Sequence, residues 1–499
     1  MQNVENAKRK RPATVSRRGF VGGVVSTAAL TVVPRNVLGG RGYVAPSDKV
    51  TAACVGVGAQ GTRVMMDFLK QPDLQVVAVC DVNTESADYV EWGPNELREK
   101  QSKLLDKPDW GRDWKGPTAG RDPAKRLVEA YYAKQTASGG YKGCAAYVDY
   151  RELLDKEKDL NAVIIGTPDH LHAMISIAAM KRGKHVYCQK PMTHSVYEAR
   201  RVAEVARETK VATQVAIGNQ ASEATRLLCE WIWAGAIGAV REVHNWSTRP
   251  FWPQGLDRPA KEEPVPAGFE WDLWVGPAPF RPFSHVYLPF VWRGWFDFGN
   301  GAIGDMGCYS FDTIFRALKL GPPESVEASS TKTYLETFPA ASILTFRFAA
   351  RGEMPPVTLT WYDGGLRPPR PLELEDGRVM GRENEGLLFV GDKGTILCGF
   401  NGANPKLIPE SKMKEFKPPD KTLPRSPGND REWIEACKGG KPGGANFEFE
   451  SLVTETVLLG NVALRTGKKL TWDSPNMKVL NATDAQPFIR TEYRQGWSL

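Results

Sequence analysis

The sequence predicts a two-domain α/β protein: a doubly wound domain built on a parallel sheet, followed by a second domain of mostly antiparallel strands. Three observations predict it. Apolar, strand-like runs alternate with helical spacing up to about residue 220. The first run ends in a glycine cluster that opens a helix. Beyond about residue 240 strands follow one another without long helices between them.

Residues 50–57 read as a buried strand, Gly56, Gly58 and Gly61 give GxGxxG, and residues 62–70 read as the following helix. Gly56 suits a tight turn, Gly58 a close backbone approach to a pyrophosphate, and Gly61 helix packing on the strand. Ala59 and Gln60 complete the turn, and the helix N-terminus offers free N–H groups to phosphate. A second strand, 74–80, ends at Asp81, whose carboxylate would accept both ribose hydroxyls of an adenosine and repel a 2′-phosphate. NAD is therefore expected over NADP, with Arg63 the nearby cation to suspect if NADP bound instead.

Residues 84–122 are irregular, charged and longer than a usual connection, hence functional or an oligomer contact. Helical spacing over 124–135 and from 150, a strand over 160–166, a helix over 173–182, a strand over 185–188, a helix over 197–208 and a strand over 211–217 complete the first domain. Its strands end in polar clusters containing Thr167 and Pro168, Gln189 and Lys190, and Asn219, where open α/β sheets place ligands. The second domain is expected to use strands over 242–248, 341–349, 357–362, 387–390 and 395–398. The boundaries implied are 48–220 for the nucleotide-binding domain, 221–480 for the second domain and 481–499 for a tail.

Residues 1–41 read as an address. Ser16-Arg17-Arg18-Gly19-Phe20 is a twin-arginine sequence, and residues 21–33 form an apolar run too short to span a bilayer permanently. Such signals mark proteins exported folded, so a periplasmic or otherwise exported location is expected. With no clean A-x-A site before Tyr43, an uncleaved anchor stays open. This segment holds eight Lys or Arg against one acid, which accounts for the chain's net +7. The remainder is nearly neutral, which argues against a nucleic-acid partner. The eight cysteines show no metal-ligand spacing, and a protein folded before export has no need of disulfides.

Eight of fifteen tryptophans, Trp231, Trp233, Trp246, Trp252, Trp271, Trp274, Trp292 and Trp295, fall between 231 and 295, where the chain is also rich in Pro and Arg. Indole faces with Arg and Asp suit sugar rings; each is equally compatible with core packing.

The glycine motif with Asp81, Thr-Pro-Asp-His-Leu-His (167–172), Gln-Lys-Pro-Met-Thr-His (189–194) and Gly-Asp-Met-Gly-Cys-Tyr-Ser-Phe-Asp (304–312) together resemble the Gfo/Idh/MocA oxidoreductases, over residues 48–470. The closest resemblance is to exported, tryptophan-rich bacterial members. It implies a Rossmann domain, a C-terminal α+β domain with a large open, mostly antiparallel sheet, a dimer or tetramer, and a sugar-derived secondary alcohol as substrate. Lys190 falls on the family lysine, with Gln189 in place of the usual Glu; lacking that anion, Lys190 should lose its proton more readily. Asp305 falls on the family acid, and Tyr309 stands where inositol dehydrogenases carry His, four residues on and so on the same helix face. These three are the expected catalytic residues. Tyr309 would shuttle the proton if Lys190 lowers its pKa. His172 matches a position near the cofactor, and Trp292 and Arg293 join the trio as substrate contacts. The expected function is NAD(H)-dependent hydride transfer to or from a sugar alcohol. Glycoside cleavage through a transient keto-sugar, or sugar binding without catalysis, remain open at this point.

Overall fold

Along the first strand, β1 (Val50–Val55), side chains alternate between two apolar clusters: Ala52 and Cys54 enter one, Ala53 and Val55 the other. Burial on both faces is the condition of a parallel sheet sandwiched by helices. The computed structural model describes residues 48–499 except 137, 382 and 383, so the leader expected over 1–41 lies outside the described residues. β1 pairs in parallel with β2 (Leu74–Cys80) and β4 (Ala162–Ile165); β3 (Ala145–Tyr147), β5 (His185–Cys188) and β6 (Thr213–Val215) complete six parallel strands in the order β3-β2-β1-β4-β5-β6. The order reverses direction between β1 and β4, where doubly wound sheets open a ligand crevice.

Helix Ala59–Leu69 starts earlier than expected, with Gly61 inside its first turn. Ser195 caps helix Val196–Thr209 through a reciprocal bond with Glu198, the capping-box arrangement. Within the irregular stretch lies a helix unforeseen from the sequence, Glu96–Leu105, tied to the first helix by Arg63–Glu96 at 2.6 Å.

The second sheet has nine strands: β7 (Val240–Trp246), β8 (Ser325–Ser330), β9 (Ser342–Phe348), β10 (Val357–Tyr362), β11 (Gly386–Gly391), β12 (Thr395–Cys398), β13 (Lys406–Ile408), β14 (Leu470–Asp473) and β15 (Lys478–Val479). They run in the order β13-β12-β11-β7-β10-β9-β8-β14-β15, antiparallel except for β7 with β10. The expected architecture is therefore present: a six-stranded Rossmann sheet and a mixed, mostly antiparallel second sheet. Helices Cys308–Leu318 and Phe447–Thr466 cover it, burying Phe311, Val453 and Leu459 against Phe346 and Trp361.

The C-terminal third does not stay with the second sheet. Helix Asn429–Cys437 returns to the first, where Trp433 meets Phe68 and Tyr187 edge-on, each at 5.4 Å. In the expected tail, Tyr493 donates to Glu198 Oε1 at 2.8 Å, so it too packs on the first domain. The eight cysteines are free thiols.

Candidate active site

Where β1, β4 and β5 end, a cleft of about 750 Å³ opens between the two sheets, within the range of small-molecule sites. Gly56 has φ +79°, and a Cβ there would sit 2.5 Å from the Thr167 nitrogen; a Cβ on Gly61 would strike the Gly56 carbonyl. Both glycines thus let the turn lie flat on the end of β4. The following helix has no side-chain cap at Gly58 and no acid in its first turn, so its N-terminal N–H groups remain available to an anion. Thr167 Oγ1 is buried on the same wall without a hydrogen-bond partner among the described residues. These features fit a dinucleotide pyrophosphate.

Asp81 accepts from Val57 N at 2.7 Å and Asn83 N at 2.9 Å, which aims the carboxylate along the cleft. Burial pushes it up to about 6, with those N–H groups and Arg121 opposing. The cation beside it is Arg121, whose Nη1 lies 3.4 Å from the Asp81 carbonyl; Arg63 is engaged by Glu96 and by Val90 O. Over the glycine turn lies an unforeseen residue, Tyr89, whose ring would be 2.8 Å from a Cβ on Gly58. Three residues on, Trp92 (56% exposed) reaches across the cleft to Phe251 (54% exposed) and Phe290 of the second domain, with ring centroids 6.3 and 5.9 Å away. Phe290 itself holds φ +67°, ψ −44°, costly for a bulky residue and concentrated at functional positions.

On the opposite wall the expected trio comes together. Lys190 Nζ donates to Asp305 Oδ1 and to the Asp305 carbonyl, both at 2.7 Å, and lies 4.9 Å from the centroid of the Tyr309 ring. Arg293 Nε donates to the same Oδ1 at 3.0 Å, and its guanidinium stacks 4.3 Å from the Trp292 and Phe290 rings. Asp305 sits in a wide π-helical turn, Ile303–Gly307, that runs into the helix carrying Tyr309, rather than on one continuous α-helix. Such turns favour functional sites.

Two electrostatic expectations are reversed. Burial, the largest single influence, would lower Lys190, but Asp305 together with Tyr309 and Cys308 outweighs it and holds the ammonium above its ordinary range. The missing Glu is thus replaced by a carboxylate from the other domain. Burial would raise Asp305, yet Lys190 and Arg293 keep it well below the usual carboxylate range. For Tyr309 burial wins over the attraction of Lys190, so the phenol is raised, not lowered.

Of the expected cofactor residues, Gly56, Gly58, Ala59, Gln60, Gly61, Asp81, Thr167, Pro168, Gln189 and Lys190 line the cleft; His172 and Asn219 do not. His172 faces the carbonyls of Pro191 (2.7 Å) and Thr167 (2.8 Å) and is pushed down to about 4 by burial, a neutral pin between two loops. Asn219 instead donates to the Tyr309 carbonyl at 2.8 Å, fixing the helix that carries Tyr309. Among the eight clustered tryptophans, Trp274 and Trp292 line the cleft, while Trp246 and Trp295 are wholly buried. Asp169, from the stretch Thr-Pro-Asp-His-Leu-His, also lines the cleft with Lys190, Asp305 and Tyr309.

Two family models match this chain. Residues 122–217 match the Gfo/Idh/MocA oxidoreductase family's NAD-binding Rossmann fold, and residues 233–348 match its C-terminal alpha/beta domain. Levoglucosan dehydrogenase of Pseudarthrobacter phenanthrenivorans is 33% identical over 107 residues, 20% of this chain and 27% of that enzyme. D-xylose 1-dehydrogenase (NADP(+)) 2 of Haloferax volcanii is 30% identical over 189 residues, 38% of this chain and 46% of its own. The chain thus spans about a quarter to a half of the length of these curated relatives. In fold it is similar to the WlbA dehydrogenase of Bordetella pertussis, solved with NADH and UDP-GlcNAcA: TM-score 0.52 at 16% identity, covering 85% of this chain and 99% of that one. Two stretches of the chain thus match, in order, the NAD-binding Rossmann fold and the C-terminal alpha/beta domain of the Gfo/Idh/MocA oxidoreductase family.

Proposed function

We propose that the protein is an exported NAD(H)-dependent oxidoreductase that moves hydride between nicotinamide and a secondary alcohol of a sugar or sugar derivative. The observation that carries this reading is the pairing of Lys190 and Arg293 on one oxygen of Asp305, in the same cleft as the glycine turn. Asp305 Oδ2 stays available to accept a substrate hydroxyl, and the remaining Lys190 N–H to donate to its oxygen. As the alcohol is oxidised, charge develops on that oxygen, and an ammonium held in a desolvated site stabilises it. Bound NAD would supply the hydride-accepting carbon. The glycine turn, the uncapped helix and Thr167 would hold its pyrophosphate, and Asp81 its ribose. The relatives that act on sugars support the substrate class. Trp292 and Trp274 add apolar faces suited to sugar C–H surfaces.

The aromatic contact of Trp92 with Phe251 and Phe290 favours a second reading. Joining the first domain to the second beside the cleft, it would keep NAD bound between turnovers, as glycoside cleavage through a transient keto-sugar requires. A binding scaffold without chemistry has no use for the buried Lys190–Asp305–Arg293 cluster. Export rests on the twin-arginine sequence at Arg17 and Arg18. The test is to load the protein with NAD and follow its absorbance while adding sugars and glycosides. Stoichiometric reduction with release of a keto-sugar supports the first reading; reduction, reoxidation and a cleaved glycoside support the second. No reduction by any of them overturns both.

A further inference from the structure

The groups gathered around the substrate hydroxyl are well placed to hold and polarise it, yet none of the expected three is suited to receive its proton. Lys190 already carries its full complement of protons, and Asp305 keeps it charged at 2.7 Å. Asp305 accepts from two cations through one oxygen and is a weak base for that reason. Tyr309 keeps its phenolic proton because burial disfavours the phenolate.

A fourth group faces the same space. Asp169 opens helix Asp169–Lys181 directly after β4, is 3% exposed and lines the cleft with Lys190, Arg293 and Asp305. Its one side-chain hydrogen bond among the described residues comes from a neutral donor, Asn300 Nδ2, at 3.0 Å to Oδ2. Asn300 is fixed in turn: it also donates to Thr193 O at 3.3 Å, and its own carbonyl accepts from Asn461 Nδ2 at 3.0 Å. The charged groups facing Asp169 are Arg293 from the turn Val291–Gly294, Lys190 from the loop after β5, and Asp305 from the π-turn. From its own helix, His170 and His172 turn both ring nitrogens to backbone carbonyls. Among the described residues no cation is bonded to Asp169, so unlike Asp305 it is not locked in the ionised state.

We propose that Asp169 is the proton-accepting residue of the reaction, taking the proton that leaves the substrate hydroxyl held by Lys190 and Asp305. In the oxidising direction the C–H pair leaves as hydride to bound NAD. The O–H bond breaks, its electron pair forms the second C–O bond, and the proton passes to the Asp169 carboxylate, leaving a neutral acid that loses it to solvent. Reduction runs the same steps backwards. Burial raises Asp169 to about 7, with Arg293 and Lys190 opposing, so both of its protonation states are populated at neutral pH. That is the condition for efficient general acid–base catalysis. The assignment rests on the oxidoreductase reading.

The experiment is single-turnover reduction of NAD-loaded protein by D-glucose, D-xylose and methyl β-D-glucoside across the neutral pH range, in wild type, Asp169→Asn and Asn300→Ala. The wild-type rate should rise with pH through a limb near 7. Asp169→Asn should bind NAD normally, lose the limb and slow by about a hundredfold or more. Asn300→Ala removes the donor that favours the carboxylate, and should move the limb to higher pH while keeping most of the rate at its plateau. A structural role for Asp169 would not move a pH limb. A limb that persists in Asp169→Asn at a near-normal rate overturns the assignment alone. Should Asp169→Asn fail to fold, a limb left in place by Asn300→Ala overturns it equally. Wild-type protein that never reduces bound NAD overturns the oxidoreductase reading, and this assignment with it.

Discussion

At Asp81 and Lys190 the sequence already points to chemistry, because the meaning of each depends on the strand it terminates. Asp81 follows β2, and its oxygens are held by the Val57 and Asn83 N–H groups. Asp81→Ala should weaken NAD binding by about tenfold or more, the scale of a charge-assisted hydrogen bond, and erase its preference over NADP in titrations of apoprotein. The carboxylate is raised to about 6, and only its ionised form accepts both ribose hydroxyls. Affinity for NAD should therefore fall as pH drops through 6, and Asp81→Ala should lose that dependence. Lys190→Met should keep NAD binding yet lower turnover by about two to four orders of magnitude, and Tyr309→Phe, which loses a hydroxyl beside Lys190 and not the proton acceptor, should keep NAD binding and slow turnover by less. The double variant should be little worse than the poorer single one, since both groups serve one hydroxyl. What the motifs could not show is where a side chain points. His172, in the first turn of the helix after β4, and Asn219 sit near the right strand ends but face backbone carbonyls, whereas the pull of Asp305 on Lys190 exists only after the second domain folds against the first.

Among the elements, those with a clear period or punctuation were legible: five of the six parallel strands, and the helices after the glycines and after Ser195, whereas the three-residue, half-buried β3 was not. Helix Phe447–Thr466 was not. Its burial on nearly every side removes the polar stripe that marks an amphipathic helix. This helix also carries Glu450, 0% exposed, raised well above the ordinary glutamate range by burial and then by Asp312. Among the described residues neither of its oxygens has a hydrogen-bond donor, and Arg316 Nη2 approaches Oε1 only to 3.6 Å, so against the Asp312 carboxyl a hydrogen bond forms only if the pair shares a proton. A pKa raised on folding means stability that is present at low pH and lost as pH rises through the folded value. The melting temperature should accordingly drop toward alkaline pH in the wild type, and drop less in Glu450→Gln. The stretch joining Asp81 to Trp92 is another element that composition could flag but not place. Trp92→Ala removes its contact with Phe251 and Phe290, and should speed release of NAD in a chase experiment while leaving thermal stability within about 0.5 kcal/mol.

For the molecule as a whole, the division into a parallel and a mostly antiparallel sheet was readable because one half alternates strand with helix and the other does not. The return of the chain to the first domain through Trp433 and Tyr493 was not readable, since long-range docking leaves no local period. Most of the aromatic-rich excursion expected to hold sugar proved to be core, with Trp271 stacked on Trp274 at 4.9 Å; composition cannot separate a buried indole from a sugar platform. Under the proposed export, Arg17→Lys with Arg18→Lys should leave folded, NAD-loaded protein in the cytoplasm, measured by fractionation. Under the proposed function a sugar C–H passes directly to a nicotinamide held in this cleft. Mass analysis of the nicotinamide after one turnover with a sugar deuterated at every ring carbon tests this step. One deuterium should be gained by the cofactor in wild type and none in Lys190→Met on the same timescale. A nicotinamide that stays unlabelled while the sugar is consumed would contradict it.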